Sequence, residues 1–139
     1  MKTIETLLKV TTKKVEESQK DIAKLLKVMQ KMDGREKELN LKIETENTAA
    51  SHSDDVNLLS FAGKFTLKST EEIEDIQQAR KDAKALMVEK RSTLRGHFAE
   101  QKRYEILLDR KRKALKKERD KKQQKELDDL STMRHRQGH

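Results

Sequence analysis

The chain lacks cysteine, proline and tryptophan, and it has only four glycines, three phenylalanines and one tyrosine. Without cysteine it can form no disulfide, and it offers no thiol nucleophile and no thiolate ligand for zinc. So few aromatic residues make a compact globular core difficult to build. The scarcity of glycine and proline argues against the frequent turns of a β-sandwich or barrel. The length of 139 residues allows one domain at most.

Charge is what the chain has in abundance, since charged residues make up 42% of it and hydrophobic residues only 32%. Such a composition is typical either of long helices or of disorder, and the apolar periodicity distinguishes the two. From Ile4 to Ile43, alternating steps of four and three residues define twelve positions, of which nine are apolar. This heptad pattern predicts a helix over about residues 4–46, and the seam keeps its phase past Gly34, so we expect one helix that is free to bend there. The twelve positions are Ile4, Leu8, Thr11, Val15, Ser18, Ile22, Leu25, Met29, Met32, Glu36, Leu39 and Ile43.

A second helix is predicted after a break in the pattern. Residues 47–55 are polar, and the following stretch around Gly63 contains Phe61 and Phe65. We therefore expect a connector over about residues 47–68, with a polar loop and a short apolar turn or helix. Ser69 and Glu72 have the spacing of a capping box, which predicts a helix from residue 69 to about residue 132. The last residues, 133–139, are expected to be frayed.

Each predicted helix carries an apolar stripe that needs a partner, and two such helices on a short connector pack most simply side by side. The predicted fold is therefore all-α, an antiparallel two-helix coiled-coil hairpin with a longer C-terminal helix, in a single domain of residues 1–139. With Ile43 beside Ile73, Ile4 lies near Arg112, and the second helix extends about twenty residues, roughly 30 Å, past the start of the first. The predicted core comprises Ile4, Leu8, Val15, Ile22, Leu25, Met29, Met32, Leu39, Ile43, Ile73, Ile76, Ala83, Leu94, Phe98, Leu108 and Leu115.

The charge is distributed unevenly along the chain. Residues 110–125, called the basic segment below, hold ten Lys and Arg residues and two acids, a net charge of +8. Elsewhere the remaining 23 basic and 23 acidic residues cancel, so one segment carries the whole excess. An acidic partner surface would relieve the repulsion within it, while a merely solvated helix is the alternative. Leu7 and Val10 are expected at the same end of the hairpin, and an apolar pair beside a cationic helix indicates a docking end.

Several classes of function are not expected. The chain has no Gly-rich nucleotide-binding motif, and two paired helices provide no enclosed pocket for catalytic carboxylates. We therefore predict no enzyme, no catalytic residue, no metal, no cofactor and no small-molecule substrate. Nucleic acid is not expected either, because the basic segment follows the heptads and contains neither Asn nor an aromatic residue; non-specific phosphate binding at low salt stays open. The N-terminus resembles no signal peptide and no stretch is apolar enough to span a membrane, so we expect a cytoplasmic protein.

The order of these features resembles that of a known family. A heptad-rich helix begins near Ile4-Glu5-Thr6-Leu7-Leu8, and a polar connector is followed by a Phe-x-x-x-Phe pair. The second helix contains the stretch Glu100-Gln101-Lys102-Arg103-Tyr104-Glu105, then the basic segment, then Glu126-Leu127-Asp128-Asp129-Leu130. Over nearly the whole chain this resembles FliJ, the family of flagellar type III export proteins, most closely its forms with an EQK-x-YE stretch.

The resemblance implies a fold, a function and partners. Such proteins form an antiparallel two-helix coiled coil similar to the γ stalk of rotary ATPases. Their joined chain ends insert into the pore of the hexameric export ATPase and promote its assembly and activity. They also contact the membrane export gate and cycle export chaperones. We accordingly expect a protein that is monomeric when free and works in the cytoplasm, peripheral to the inner membrane at the export apparatus. A generic coiled-coil scaffold and the equivalent stalk of a virulence-type secretion system remain alternatives.

Two sets of contact residues follow as hypotheses. The residues expected to bind the ATPase ring are Leu7, Val10, Arg110, Arg112, Lys113, Lys116, Lys117, Arg119, Lys121 and Lys122. For a second partner the candidates are Leu41, apolar on the outward face of the first helix, and Phe61 with Phe65. The two Phe residues are expected first as the core of the hairpin tip, and contact with a second partner is their alternative role.

Overall fold

The computed structural model describes residues 2–138 and consists of two helices. Helix α1 is Lys2–Ser51 and helix α2 is Val56–Gln137. The two helices pack as an antiparallel hairpin with the longer helix second, so the predicted all-α fold is confirmed. Gly34 does not interrupt α1, and a Cβ built there would meet no atom within 4 Å.

The connector is much shorter than expected. Only residues 52–55 lie outside the helices at this point, so the predicted connector at 47–68 is wrong, as are the predicted ends at 46, 69 and 132. Helix α1 continues because Ala50 is buried, and Ala62 is buried near the start of α2. These small residues extend the packed seam into the stretch that the sequence predicts as a connector.

The start of α2 is capped at Asp55 and not at Ser69. The Asn57 backbone N–H donates to Asp55 Oδ1 at 2.9 Å, and the Asp55 N–H donates to Ser53 Oγ at 3.1 Å. A side-chain oxygen that accepts from the second residue of a helix is the usual N-cap arrangement. Ser69 instead lies buried on the seam in the interior of α2, so its spacing to Glu72 does not form a capping box.

The chain divides into two compact units, of which one is Glu16–Arg95. This unit contains the connector and packs α1 against α2 in antiparallel register. The register is fixed by polar contacts across the pair: Thr66 Oγ1 to Asn47 Oδ1 at 3.1 Å, Gln77 Nε2 to Glu36 Oε1 at 3.2 Å, and Lys90 Nζ to Asp21 Oδ2 at 3.7 Å. The seam positions on α1 and α2 here are buried or half-buried: Ser18, Ile22, Leu25, Met29, Met32, Glu36, Leu39, Ile43, Ile73, Ile76, Ala83, Met87 and Leu94.

The other unit comprises Met1–Val15 and Gly96–His139. Gln101 Nε2 donates to Thr12 Oγ1 at 3.2 Å, and Arg112 Nη2 lies 3.8 Å from Glu5 Oε1. The second contact is one residue away from the predicted pairing of Ile4 with Arg112. Thr11 is the largest fully buried side chain, and its hydroxyl donates to the Leu7 carbonyl at 2.9 Å, which satisfies it within the seam.

Two predicted core residues are exposed. Phe98 is 41% exposed and Leu115 is 43% exposed, so their assignment to the core is wrong. His97, next to Phe98, takes the half-buried seam position, which directs the Phe98 side chain away from α1. Leu115 lies three residues beyond Arg112, which pairs with Glu5 near the start of α1.

Candidate partner-binding surface

The C-terminal part of α2 is helical without a partner helix. Leu108 is buried, but every described residue from Asp109 to Gly138 is exposed. Residues 113–137, which follow the contact between Arg112 and Glu5 and are called the α2 extension below, would measure roughly 38 Å at the usual rise per residue. This stretch is rich in Lys, Arg, Glu, Gln and Leu, all good helix formers, and it contains neither proline nor glycine. An exposed helix of this kind is available for a partner outside the chain.

Most of the basic segment lies within the α2 extension. All of its Lys and Arg side chains are exposed. Two of them have ion-pair partners at the start of the segment: Lys113 Nζ is 3.1 Å from Asp109 Oδ2, and Arg112 pairs with Glu5. Exposed pairs of this kind contribute little to stability, so most of the net charge of +8 remains directed at solvent.

The basic side chains surround the helix axis. With 3.6 residues per turn, each residue is rotated by about 100° from the previous one. On this spacing the ten Lys and Arg residues leave no gap wider than about 60° around the circumference. The segment therefore differs from an amphipathic helix with one charged face, and it presents positive charge in every direction.

Exposed apolar residues lie beside the start of the basic segment. The contacts Thr12–Gln101 and Glu5–Arg112 mark two levels of the helix pair, and between these levels lie Leu7 and Val10 on α1. All four apolar side chains that we call the apolar flank are exposed and lie between the two contacts: Leu7, Val10, Ile106 and Leu107. The structure therefore places Leu7 and Val10 where the sequence predicted them, and it adds two apolar residues from α2.

The residues suggested for a second partner lie in the unit Glu16–Arg95. The rings of Phe61 and Phe65 stack with centroids 6.3 Å apart and planes inclined by 20°. Phe65 is half-buried beside Leu39 and Ser69, whereas Phe61 is mostly exposed, so the core role predicted for Phe61 is wrong. Leu41 is also exposed, on the outward face of α1.

A cluster of ion pairs joins the helices around Gly34. Arg80 pairs with both Glu36 and Asp33, and Arg35 Nε donates to Glu72 Oε1 at 2.8 Å. The Arg80 guanidinium, with help from the Gln77 amide, holds the pKa of the Glu36 carboxyl below its ordinary value. Arg35 lowers the pKa of Glu72 in the same way, because it favours the charged carboxylate.

These lowered pKa values predict acid sensitivity of the helix pair. A carboxyl whose pKa is lower in the folded state stabilises that state above its unfolded pKa, and the contribution disappears as the pH falls through the folded pKa. We expect the double variant Glu36→Gln, Glu72→Gln to melt at a lower temperature than the wild type at pH 7. Between pH 5 and pH 3 the two melting temperatures, followed by circular dichroism, should converge. Parallel profiles over this range would show that the ion pairs do not stabilise the fold.

Comparison with known proteins decides the family. The sequence profile described as "Flagellar FliJ protein" matches residues 1–139, the full length of the chain. The chain belongs to the FliJ family. No curated protein and no solved structure matches it.

FliJ membership makes the protein a component of the flagellar export apparatus, as the resemblance implied. The family is non-catalytic, which is consistent with the prediction that the chain is not an enzyme. Among the described residues, neither helix has a stretch long and apolar enough to cross a membrane. The same part of the chain contains no group of three or more His, Cys, Asp or Glu residues placed to hold a metal ion.

For this FliJ protein, the contact surface predicted from the sequence does not include Ile106 and Leu107. Both are apolar, and both lie directly before Leu108, which is buried. A stretch of three apolar residues at the end of the paired region is a usable signal, because only one of the three can face the seam. The other two are then candidates for contact with a partner.

Proposed function

We propose that this FliJ protein is a stalk that inserts the α2 extension, together with the start of α1, into the central pore of the hexameric export ATPase. There it promotes assembly of the ring and stimulates its activity. The observation that carries the proposal is the basic segment: an exposed helical segment that holds the entire net charge of the chain and presents it in all directions.

The angular distribution of charge favours an enclosing partner over a flat one. A flat acidic surface would contact about half of the circumference and leave the opposite lysines and arginines in solvent. A pore wall lined by carboxylates or carbonyls can meet all of them, which maximises the electrostatic gain. An amphipathic helix would suffice for a flat partner, so the symmetric charge is best explained by a pore.

The mechanism needs no chemistry from the stalk itself. Its positive field would steer the helix into an acidic pore and raise the association rate at low salt. Because many similar charges follow one another, the ring could change conformation while the stalk stays bound. Stimulation then requires that the stalk bind one conformation of the ring more tightly than another. The apolar flank would contact the pore entrance, where burial of apolar surface adds affinity that salt does not screen.

The unit Glu16–Arg95 carries the surface that we assign to the further partners. Leu41 and Phe61 expose apolar surface, and Phe65 stacks on Phe61. We assign these three residues to contacts with the membrane export gate or with export chaperones. The protein would then work in the cytoplasm, peripheral to the inner membrane, and would be monomeric before it meets the ring.

Salt dependence tests the proposal. The stalk concentration that gives half-maximal stimulation of the purified export ATPase should rise at least tenfold between about 50 and 200 mM NaCl, because the pore contact is mainly electrostatic. The basal rate of the ATPase alone, measured over the same salt range, is the control, and light scattering follows hexamer formation in parallel.

Other outcomes would favour the alternatives. Failure to recover or stimulate the ATPase would indicate a generic coiled-coil scaffold. Stimulation only of an ATPase from a virulence-type secretion system would reassign the stalk to that system. A shift of duplex DNA at physiological salt would indicate a nucleic-acid-binding helix instead.

A further inference from the structure

The sign of the charge changes at the end of the basic segment. Residues 126–133, called the terminal apolar segment below, contain Glu126, Asp128 and Asp129 and no basic residue. Leu127 lies between these acids and is 61% exposed, and Leu130 and Met133 follow them, 54% and 55% exposed. The helix is continuous through the segment and ends at Gln137.

The three apolar side chains share one side of the helix. Their spacing of three residues places them within an arc of about 120°, as in helices that dock into a groove through successive anchors. Glu126 and Arg134 also fall within this arc and are opposite in charge, whereas the Asp128 and Asp129 side chains leave the helix outside it. Asp128 Oδ1 accepts a hydrogen bond from Gln124 Nε2 at 3.1 Å. Single exposed apolar residues are common on protein surfaces, but three on one side of a helix without a partner helix form a potential anchor.

The chemistry of this segment differs from that of the basic segment. A wall that attracts ten Lys and Arg residues would repel the three carboxylates that follow them, so one uniformly acidic pore cannot fit both. The carboxylates also disfavour binding to an anionic lipid surface. Parallel pairing of two copies of the chain would place their basic segments side by side, which is electrostatically unfavourable. These arguments favour an apolar socket with a basic rim on a protein partner.

We propose that the terminal apolar segment is a second anchor, which docks Leu127, Leu130 and Met133 into an apolar socket with a basic rim on the export ATPase. The inference rests on the proposed function and adds a contact of different chemistry to it. The basic segment supplies salt-sensitive attraction, and the terminal apolar segment supplies affinity that persists at high salt.

Because the chain contains no cysteine, a single introduced cysteine can be labelled specifically, and this label tests where the anchor binds. The full chain with Leu130→Cys, labelled with a polarity-sensitive fluorophore, should show a blue shift when the purified ATPase hexamer is added. The same label on Lys121→Cys, in the basic segment, should show no comparable blue shift. Absence of a blue shift at Leu130→Cys while stimulation is intact would overturn the proposal. A blue shift that appears without the ATPase, as protein concentration rises, would assign the segment to self-association and overturn it as well.

A truncation of the apolar side chains tests the energetics. The variant Leu127→Ala, Leu130→Ala, Met133→Ala keeps good helix formers and should raise the half-maximal stalk concentration about tenfold or more at 200 mM NaCl. The matched control is the variant Val28→Ala, Leu86→Ala, Val88→Ala, which changes three exposed apolar residues in the unit Glu16–Arg95. This control should leave the half-maximal stalk concentration unchanged. If the wild type stimulates and the terminal variant behaves like the control, the second anchor alone is refuted. If the wild type itself does not stimulate, the proposed function is refuted first.

Discussion

The triple variant Arg112→Glu, Lys116→Glu, Arg119→Glu is expected to lose stimulation of the export ATPase. Three reversals remove six units of charge and lower the net charge of the basic segment from +8 to +2. Inside a pore these changes replace attraction by repulsion at three successive turns of the helix, where water screens the charges less than at an open surface. We expect apparent affinity to fall by about a hundredfold or more. A titration of ATPase rate against stalk concentration at about 50 mM NaCl measures the effect.

A matched control exists on α1. Lys20, Lys24 and Lys27 have the same spacing as the three reversed residues, and all three are exposed. Their reversal to Glu changes the net charge of the chain by the same amount, so it separates position from total charge. This control should stimulate like the wild type, and circular dichroism should show unchanged helicity for both variants. Equal loss in both would show that net charge, and not the basic segment, determines binding.

Leu39→Ala is expected to have the largest effect on stability. Leu39 is 2% exposed and lies in the seam beside Phe65 and Ser69. Removal of a buried Leu side chain to Ala costs about 2–5 kcal/mol, since apolar contacts are lost and a cavity remains. For a chain of this size that corresponds to a decrease in melting temperature of roughly 10 °C. Thermal unfolding followed by circular dichroism at 222 nm measures it.

Leu41→Ala is the control for this prediction, with the same chemical change two residues later in α1. Leu41 is 64% exposed, so the variant should melt within about a degree of the wild type. It also separates folding from partner binding, because Leu41 is one of the residues assigned to the gate or chaperone contact. A small effect at Leu39, or equal effects at both positions, would mean that the heptad seam is not the main source of stability.

The sequence predicts the seam of α1 well for a physical reason. Only a repeat of four and three residues keeps side chains on one side of a helix that winds against a neighbour. The seam continues with the same spacing through Glu46 to Ala50, four residues past the predicted end of the helix at residue 46. The extension was missed because neither residue is a large apolar one, although both lie in phase with Leu39 and Ile43.

The second helix was harder to interpret because polar residues occupy much of its seam. Ser69, Lys90, His97 and Gln101 are buried or half-buried there. The apolar pattern therefore predicts Phe98 at the seam position that His97 occupies. The sequence also predicts a capping box at Ser69, whereas packing against α1 overrides that local preference and keeps the residue inside a continuous helix. The residues of α2 that face the seam, and the point where this helix begins, thus depend on contacts between distant parts of the chain.

The basic part of the candidate site can be predicted from the sequence, because it depends only on charge and helical spacing. Counting Lys, Arg, Asp and Glu along the chain locates the basic segment, and helical spacing gives its angular distribution. The apolar flank was only half predicted. The level of α2 beside the start of α1 was predicted to within one residue, but which of Ile106, Leu107 and Leu108 faces α1 depends on the packing, and only Leu108 is buried.

Protection of single thiols around the basic segment tests the central claim most directly. Cysteine replaces Lys116, Lys117, Arg119 or Lys125, one at a time; these positions point in four different directions around the axis. Labelling of each variant by a maleimide is timed with and without the assembled ATPase hexamer. Insertion into the pore predicts slower labelling at all four positions when the ring is present. Protection of only one side of the helix, or of none, would contradict insertion.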